Sequence, residues 1–125
     1  MKLKNIDMEE KIKALEPLLE YRDKIGYAAA RNTRLLREAS QEYQVRRDEL
    51  IKKYGDPELD EDGNETGQVS LMSTSPNFSD FISELTPIAE IEHEVEIFKL
   101  PISDAIGTMS GQEILDMDWM FEDDA

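Results

Sequence analysis

The chain has 125 residues and a formal net charge of −15, and this length is enough for one domain of modest size. It contains no cysteine and one histidine, which excludes a disulfide framework, a thiolate nucleophile and cysteine-based zinc sites. No apolar run approaches the ~18 residues that span a bilayer, and the N-terminus lacks the apolar core of a signal peptide. We therefore expect neither membrane insertion nor secretion through a signal peptide.

The charge is unevenly distributed along the chain. Residues 1–54 carry 13 Lys and Arg against 10 Asp and Glu, whereas residues 55–125 carry Lys99 alone against 19 acidic residues. This asymmetry predicts two structural zones with different surfaces. An acidic zone repels nucleic acid and anionic membranes, so we expect no direct binding to either. It can instead attract a basic protein surface, imitate a nucleic acid in a protein's DNA groove, or simply provide solubility.

The first part of the chain has the periodicity of a helix. Asp7 and Glu10 are spaced as a capping box for its start. Its apolar face is formed by Ile12, Leu15, Leu18 and Leu19. Pro17 lies inside this pattern, and it must kink the helix or begin a new one because proline has no amide proton.

A second and longer helix is predicted over residues 26–54, with Gly55 as its stop. Apolar residues recur along it every seven positions: Ala29, Leu36, Tyr43 and Leu50. A helix of this length is about 43 Å long at 1.5 Å per residue. We expect the first helix to fold back along it as a helical hairpin, and the stripe also allows self-association through the long helix.

Residues 56–77 are predicted to form an acidic turn and loop. Glu58, Asp60 and Asp62 match the first ligand positions of a calcium-binding EF-hand loop. Val69 stands where that loop needs a bidentate glutamate, so no metal site is predicted here.

Residues 78–125 are predicted to form a small acidic module of short strands and short helices. A short helix over residues 78–85 and a strand over residues 91–98 have apolar residues on one face. Ser110 and Glu113 form a capping box for a last short helix.

The predicted fold class is therefore α+β. A long N-terminal helical hairpin (residues 1–55, kinked at Pro17) precedes the acidic loop (56–77) and the acidic α+β module (78–125), and the three form one folding unit.

Three glutamates of the predicted strand, Glu92, Glu94 and Glu96, form a secondary acidic face. Alternate residues of a strand lie about 6.5–7 Å apart, close to the phosphate spacing along one nucleic-acid strand. Three such glutamates could form a general acid–base pair or a set of metal ligands, but nothing near them distinguishes the row from a solvated strand face. No catalytic, cofactor-binding or metal-binding residue is predicted in the chain.

The C-terminal segment is the predicted partner-binding site. It combines large apolar and acidic residues: Met117, Asp118, Trp119, Met120, Phe121, Glu122 and Asp123. Aromatic residues and methionine are enriched at interface cores, and acidic neighbours speed the encounter with a basic surface. The competing interpretation is that Trp119 and Phe121 cover the protein's own small core.

The order of these features resembles a family of small, acidic, phage-encoded proteins of unassigned function. The features that carry the resemblance are the two N-terminal helices, the second of which ends in LIKKYG (50–55), then DEDG (60–63), FISEL (81–85), EVEIFKL (94–100), ISD (102–104) and SGQEIL (110–115). The resemblance implies a phage origin and a role exercised by binding, and it brings no catalytic residue.

We therefore expect a non-enzymatic phage protein without a cofactor, located in the host cytoplasm or on the virion. It would act by protein–protein binding, as an accessory or assembly factor that docks on a larger phage or host protein. The alternative is an acidic inhibitor that imitates nucleic acid in the groove of a host defence or replication protein.

Overall fold

A computed structural model of the chain describes residues 1–124. Over these residues the chain forms five α-helices and six short strands, with the helices concentrated in the N-terminal part. The predicted α+β class is confirmed. The first compact unit joins Met1–Ser40 to the described residues from Glu92 onward, and the second comprises Gln41–Ile91. The boundaries between these units fall after residues 40 and 91 of the chain, whereas the predicted segments are divided after residues 55 and 77.

The first helix, α1 (Asn5–Leu15), ends where the sequence predicts a kink. A 3-10 helix (Glu16–Glu20) follows it and has Pro17 in its first turn, where the missing amide proton breaks no helical hydrogen bond. The predicted start is shifted by a few residues. The Asp7 carboxylate accepts a hydrogen bond from the Lys4 amide at 3.1 Å. Asp7 therefore lies within the first turn of α1, whereas the sequence pattern predicted it as the residue before the helix.

The predicted continuous helix over residues 26–54 is wrong, because it is two helices. The first, α2 (Lys24–Ala39), and the second, α3 (Gln41–Tyr54), are separated at Ser40, whose φ and ψ are −107° and 13°. The Ser40 hydroxyl donates to the Leu36 carbonyl at 2.7 Å. A serine hydroxyl that bonds the carbonyl four residues back competes with the helical ladder, which favours a break at this position.

Apolar side chains from both ends of the chain fill the core of the first unit. The buried members are Leu3, Met8, Leu15, Leu18, Ile25, Ala28, Ala29, Leu36, Val95, Leu100, Ala105, Met109, Met117, Met120 and Phe121. The stripe predicted for self-association is also inside the chain, since Leu36, Tyr43 and Leu50 are at most 2% exposed. These three side chains therefore offer no open surface to a second copy.

Two short strand pairs complete the first unit. Strand β1 (Lys2–Lys4) pairs antiparallel with β4 (Glu92–Glu94), and β5 (Leu100–Pro101) pairs in parallel with β6 (Phe121–Glu122). The strand predicted over residues 91–98 is thus only three residues long. Beyond it, Val95 still exchanges backbone hydrogen bonds with Met1. The backbone N–H and C=O of Phe98 are bonded by the Asn32 side chain rather than by a neighbouring strand.

The second unit contains α3, a β-hairpin and a further helix. Strands β2 (Asp56–Leu59) and β3 (Glu65–Ser70) pair antiparallel across the predicted acidic turn, where Gly63 has a φ of +81°. Helix α4 (Phe78–Ala89) runs beyond the predicted end at residue 85 and contains Pro87. The buried apolar side chains of this unit are Tyr43, Leu50, Phe81, Leu85 and Ala89.

Both units are acidic, unlike the two halves of the sequence. The first unit carries 10 Lys and Arg against 17 Asp and Glu, and the second carries 4 against 12. The first unit combines the mildly basic residues 1–40 with the acidic residues from Glu92 onward. The surface of the first unit therefore mixes charges of both signs.

Replacing Gly26 by alanine should destabilise the protein, although alanine normally stabilises a helix relative to glycine by about 1 kcal/mol. A Cβ atom at Gly26 would overlap the carbonyl oxygen of Tyr21, which is backbone and cannot turn away. We expect Gly26→Ala to lower the free energy of unfolding by about 1–3 kcal/mol in a urea titration. The control is Gly111→Ala, because no atom of residues 1–124 lies within 4 Å of the added Cβ, apart from its chain neighbours and the backbone of its own helix. An unchanged or more stable Gly26→Ala protein would contradict this packing.

Candidate functional site

The predicted partner-binding segment begins at the end of α5 (Gly111–Asp116) and continues as a 3-10 helix (Asp118–Met120) and β6. Met117, Met120 and Phe121 are between 0% and 7% exposed. A 3-10 helix has three residues per turn, so Met117 and Met120 point in the same direction, into the core. Pairing of β6 with β5 sets Phe121 beside Leu100. These three side chains are core residues, and a partner cannot reach them without local unfolding.

Trp119 is the large side chain of this segment that remains partly accessible. It packs against the core on one side and is half-buried. The acidic members of the predicted site, Asp118, Glu122 and Asp123, are exposed. The structure therefore leaves one aromatic ring and its flanking carboxylates at the surface.

Trp119 lies along a groove of about 340 Å³ between the C-terminal segment and α1. The groove, called here the Trp119 groove, is lined by Leu3, Asp7, Glu10, Lys11, Ala14, Asp116 and Trp119. Residues 7, 10, 11 and 14 lie on one face of α1 because side chains three and four positions apart are neighbours on a helix. The groove thus has a helical wall, an aromatic wall and a polar rim.

Negative charge predominates in the Trp119 groove, but a cation already lies on its aromatic face. The Lys11 ammonium is 4.9 Å from the centre of the Trp119 ring, within the range of a cation–π interaction. Three acidic residues, Asp7, Glu10 and Asp116, line the same groove as this single ammonium. The groove consequently has the negative charge that attracts a further cationic side chain, and a ring face of the kind that accommodates one.

Hydrogen bonds hold the walls of the groove in place. The Asp7 carboxylate is bonded to the backbone at the start of α1, and the Asp116 carboxylate accepts from the Gln112 side chain at 2.9 Å. Such contacts restrict the carboxylate rotamers, which lowers the entropy lost when a partner binds.

The predicted capping box of α5 is confirmed. Its Glu113 also bonds Tyr21, the residue that follows the 3-10 helix Glu16–Glu20. Glu113 accepts from the Ser110 backbone at 3.0 Å and from the Tyr21 hydroxyl at 2.8 Å. The hydrogen bond from the Ser110 N–H, and to a smaller extent that from the Tyr21 hydroxyl, lowers the pKa of Glu113 from its usual value. The bond to Glu113 in turn raises the pKa of Tyr21. This contact anchors α5, from which Asp116 and Trp119 extend.

The groove residues on α1 were not identified by sequence reasoning. The signal available was the spacing of Asp7, Glu10, Lys11 and Ala14, which marks one polar helix face. Nothing in that spacing indicates that Trp119, more than 100 residues later, packs beside this face.

The secondary acidic face lies opposite two lysines in the sheet register and beside the N-terminal ammonium. Glu92 and Glu94 are register partners of Lys4 and Lys2 in the antiparallel pair, and directly opposite residues share a face of the sheet. The Met1 ammonium also contacts the Glu94 carboxylate at 3.0 Å. Glu96 lies beyond the end of β4. The predicted row of three carboxylates on one strand is therefore not formed.

Residues 1–124 contain neither a metal-binding cluster nor a membrane-spanning helix. In this part of the chain, no group of three or more His, Asp and Glu side chains is arranged to hold a metal ion. No helix within the same residues has both the length and the apolar character that a membrane span requires.

The chain matches no protein-family model, and no curated protein or solved structure is significantly similar to it. The resemblance to small acidic phage-encoded proteins stays a prediction.

Proposed function

We propose that this chain is a non-enzymatic binding protein that docks on a basic surface of a larger protein through the Trp119 groove. The observation that carries the proposal is the half-buried Trp119 ring, which has an ammonium 4.9 Å from its centre and three carboxylates in the same groove. A lysine or arginine of a partner that takes the place of Lys11 would meet the same ring and the same carboxylates.

The energetics favour a protein partner with a basic side chain at the centre of its contact. Cation–π contacts contribute about 0.5–2 kcal/mol, with the larger values at desolvated sites. Tryptophan is enriched among the residues that dominate binding energy at interfaces. The net charge of −15 would in addition speed the approach of a basic surface.

In the predicted phage setting, this docking would make the protein an accessory or assembly factor on a phage or host protein. The acidic inhibitor that imitates nucleic acid is the less supported alternative. Its proposed contact row, Glu92, Glu94 and Glu96, is interrupted by the end of β4 and faces Lys2 and Lys4.

Replacing the tryptophan ring should weaken binding to a basic probe without a change in net charge. The probe is a fluorescein-labelled twelve-residue peptide rich in lysine and arginine, followed by fluorescence polarisation. We expect Trp119→Leu to bind it at least tenfold more weakly, because leucine keeps an apolar side chain against the core but offers no π face.

The matched control is Leu115→Ala, since Leu115 is 72% exposed on the neighbouring helix α5. It should bind like the unaltered protein, and far-UV circular dichroism should show that both variants are folded. Equal affinity of Trp119→Leu and the unaltered protein would mean that only the general negative charge attracts the peptide, and the proposal would fail.

A further inference from the structure

A second surface of the first unit has the opposite chemistry, with two arginines of α2 beside the exposed Tyr27 ring and the half-buried Phe98 ring. Tyr27 is 59% exposed, and its hydroxyl accepts a hydrogen bond from the Arg31 guanidinium at 3.3 Å. The Arg31 guanidinium lies 5.0 Å from the centre of the Phe98 ring. The Tyr27 and Phe98 rings meet edge to face, with their centres 5.6 Å apart. We name Tyr27, Arg31, Arg34 and Phe98 the α2 patch.

The α2 patch is held in one arrangement by a buried amide. The Asn32 side chain is fully buried and donates to the Phe98 carbonyl at 2.9 Å, while its oxygen accepts from the Phe98 N–H at 2.7 Å. The two bonds fix the Phe98 backbone against α2. Because this backbone is fixed, the Phe98 ring stays beside α2, where the Arg31 guanidinium lies over its face. The guanidinium is therefore preorganised.

The arginines of the patch have no carboxylate partner in the described part of the chain. Neither Arg31 nor Arg34 forms an ion pair there, although the first unit carries 17 Asp and Glu. A hollow of about 350 Å³ lies beside them, lined by Tyr27, Ala30, Arg31 and Arg34. Unpaired guanidiniums at the edge of a hollow are donors that suit carboxylate oxygens.

From this arrangement we infer that the α2 patch binds a short acidic segment of a partner protein. Arg31 and Arg34 are three residues apart on a helix, a spacing at which side chains are neighbours with Cβ atoms about 5–6 Å apart. Two nearby carboxylates of one peptide can each meet a guanidinium. An apolar residue between them would cover the exposed part of Tyr27 and the Ala30 methyl group.

The charge of the whole chain favours an acidic peptide segment over a nucleic acid. A polynucleotide carries a phosphate at every residue, so its repulsion from a protein of net charge −15 increases with each nucleotide near the surface. A short segment with two or three carboxylates meets the local positive field and little of the distant negative one. The α2 patch is separate in residues and in charge from the Trp119 groove, so the inference does not depend on the proposed function.

The test compares two labelled probes on the full chain by fluorescence polarisation. One is a fluorescein-labelled ten-residue peptide with glutamate pairs separated by leucine and phenylalanine, and the other is a ten-nucleotide oligothymidine with the same label. We expect the peptide to bind in the micromolar to low millimolar range and the oligothymidine to bind at least tenfold more weakly. The same peptide with glutamine in place of glutamate should not bind.

The double variant Arg31→Ala/Arg34→Ala should weaken peptide binding at least tenfold. Lys13→Ala/Arg22→Ala removes the same number of positive charges at two exposed positions outside the patch, and it should weaken binding less than twofold. Tyr27→Ser, which keeps every charge, should also weaken binding. Thermal melts should show that the variants are folded at the assay temperature.

Three results would overturn the inference. These are an equal loss of binding in the two double variants, no peptide binding by the unaltered protein, and tighter binding of oligothymidine than of the peptide.

Discussion

Removal of residues 117–125 should unfold the first unit rather than give a folded protein that lacks a binding segment. The deletion takes Met117, Met120 and Phe121 out of the core and removes β6 from its pair with β5. Truncation of one large buried side chain typically costs about 2–5 kcal/mol. The loss of three such side chains costs about 6–15 kcal/mol, which is comparable with the total stability of about 5–15 kcal/mol.

Near-UV circular dichroism and a urea titration would measure this outcome. The shortened protein should show no cooperative transition assignable to the first unit, and Met120→Ala alone should lower the free energy of unfolding by about 2–4 kcal/mol. The control is removal of residues 123–125, since Asp123 and Asp124 are exposed and follow β6. If the protein that ends at residue 116 unfolded at the same urea concentration as the full chain, the deleted segment would not be part of the core.

Features that depend on neighbours in sequence were predicted well. The kink at Pro17 follows from a missing amide proton, the acidic turn needs a residue such as Gly63 that accepts a positive φ, and Ser110 with Glu113 satisfies its own helix start. Each depends on bonds within a few residues. Local chemistry is enough to specify them.

The break at Ser40 shows where a periodic pattern was insufficient. Leu36 and Tyr43 are seven residues apart, and both are buried as the stripe predicts. The heptad spacing nevertheless does not require one continuous helix, because its members are buried in different units: Leu36 belongs to the first unit, and Tyr43 and Leu50 belong to the second. The signal present in the sequence is Ser40 itself, since serine hydroxyls bond nearby backbone carbonyls, as this one does to Leu36.

The candidate site was predicted in part. Trp119 and its acidic neighbours were selected because aromatic and acidic residues occur together, and they do lie at the surface. The inward direction of Met117 and Met120 depends on a 3-10 helix, and the burial of Phe121 depends on pairing with Leu100. The second of these is a contact across 21 residues, which no local pattern specifies.

Asn32→Leu should be among the most destabilising single substitutions in the first unit. Asn32 is 0% exposed, and both ends of its amide bond the backbone of Phe98. Leucine has a similar volume but neither a donor nor an acceptor, so the Phe98 N–H and C=O would lose their partners. An unsatisfied buried polar group costs about 1–3 kcal/mol, so we expect a total loss of about 2–4 kcal/mol.

The adjacent residue provides the matched control for this prediction. The Thr33 hydroxyl is buried and has no hydrogen-bond partner among the described residues, so Thr33→Val removes an unsatisfied group with little change in shape. It should leave the free energy of unfolding unchanged or raise it by up to about 1 kcal/mol. Hydrogen exchange provides a local readout, because the Phe98 amide loses its acceptor in Asn32→Leu and should exchange faster, but should keep its protection in Thr33→Val. If Asn32→Leu were as stable as Thr33→Val and the Phe98 amide remained protected, other groups would have to hold this backbone, and the α2 patch would not depend on the buried amide.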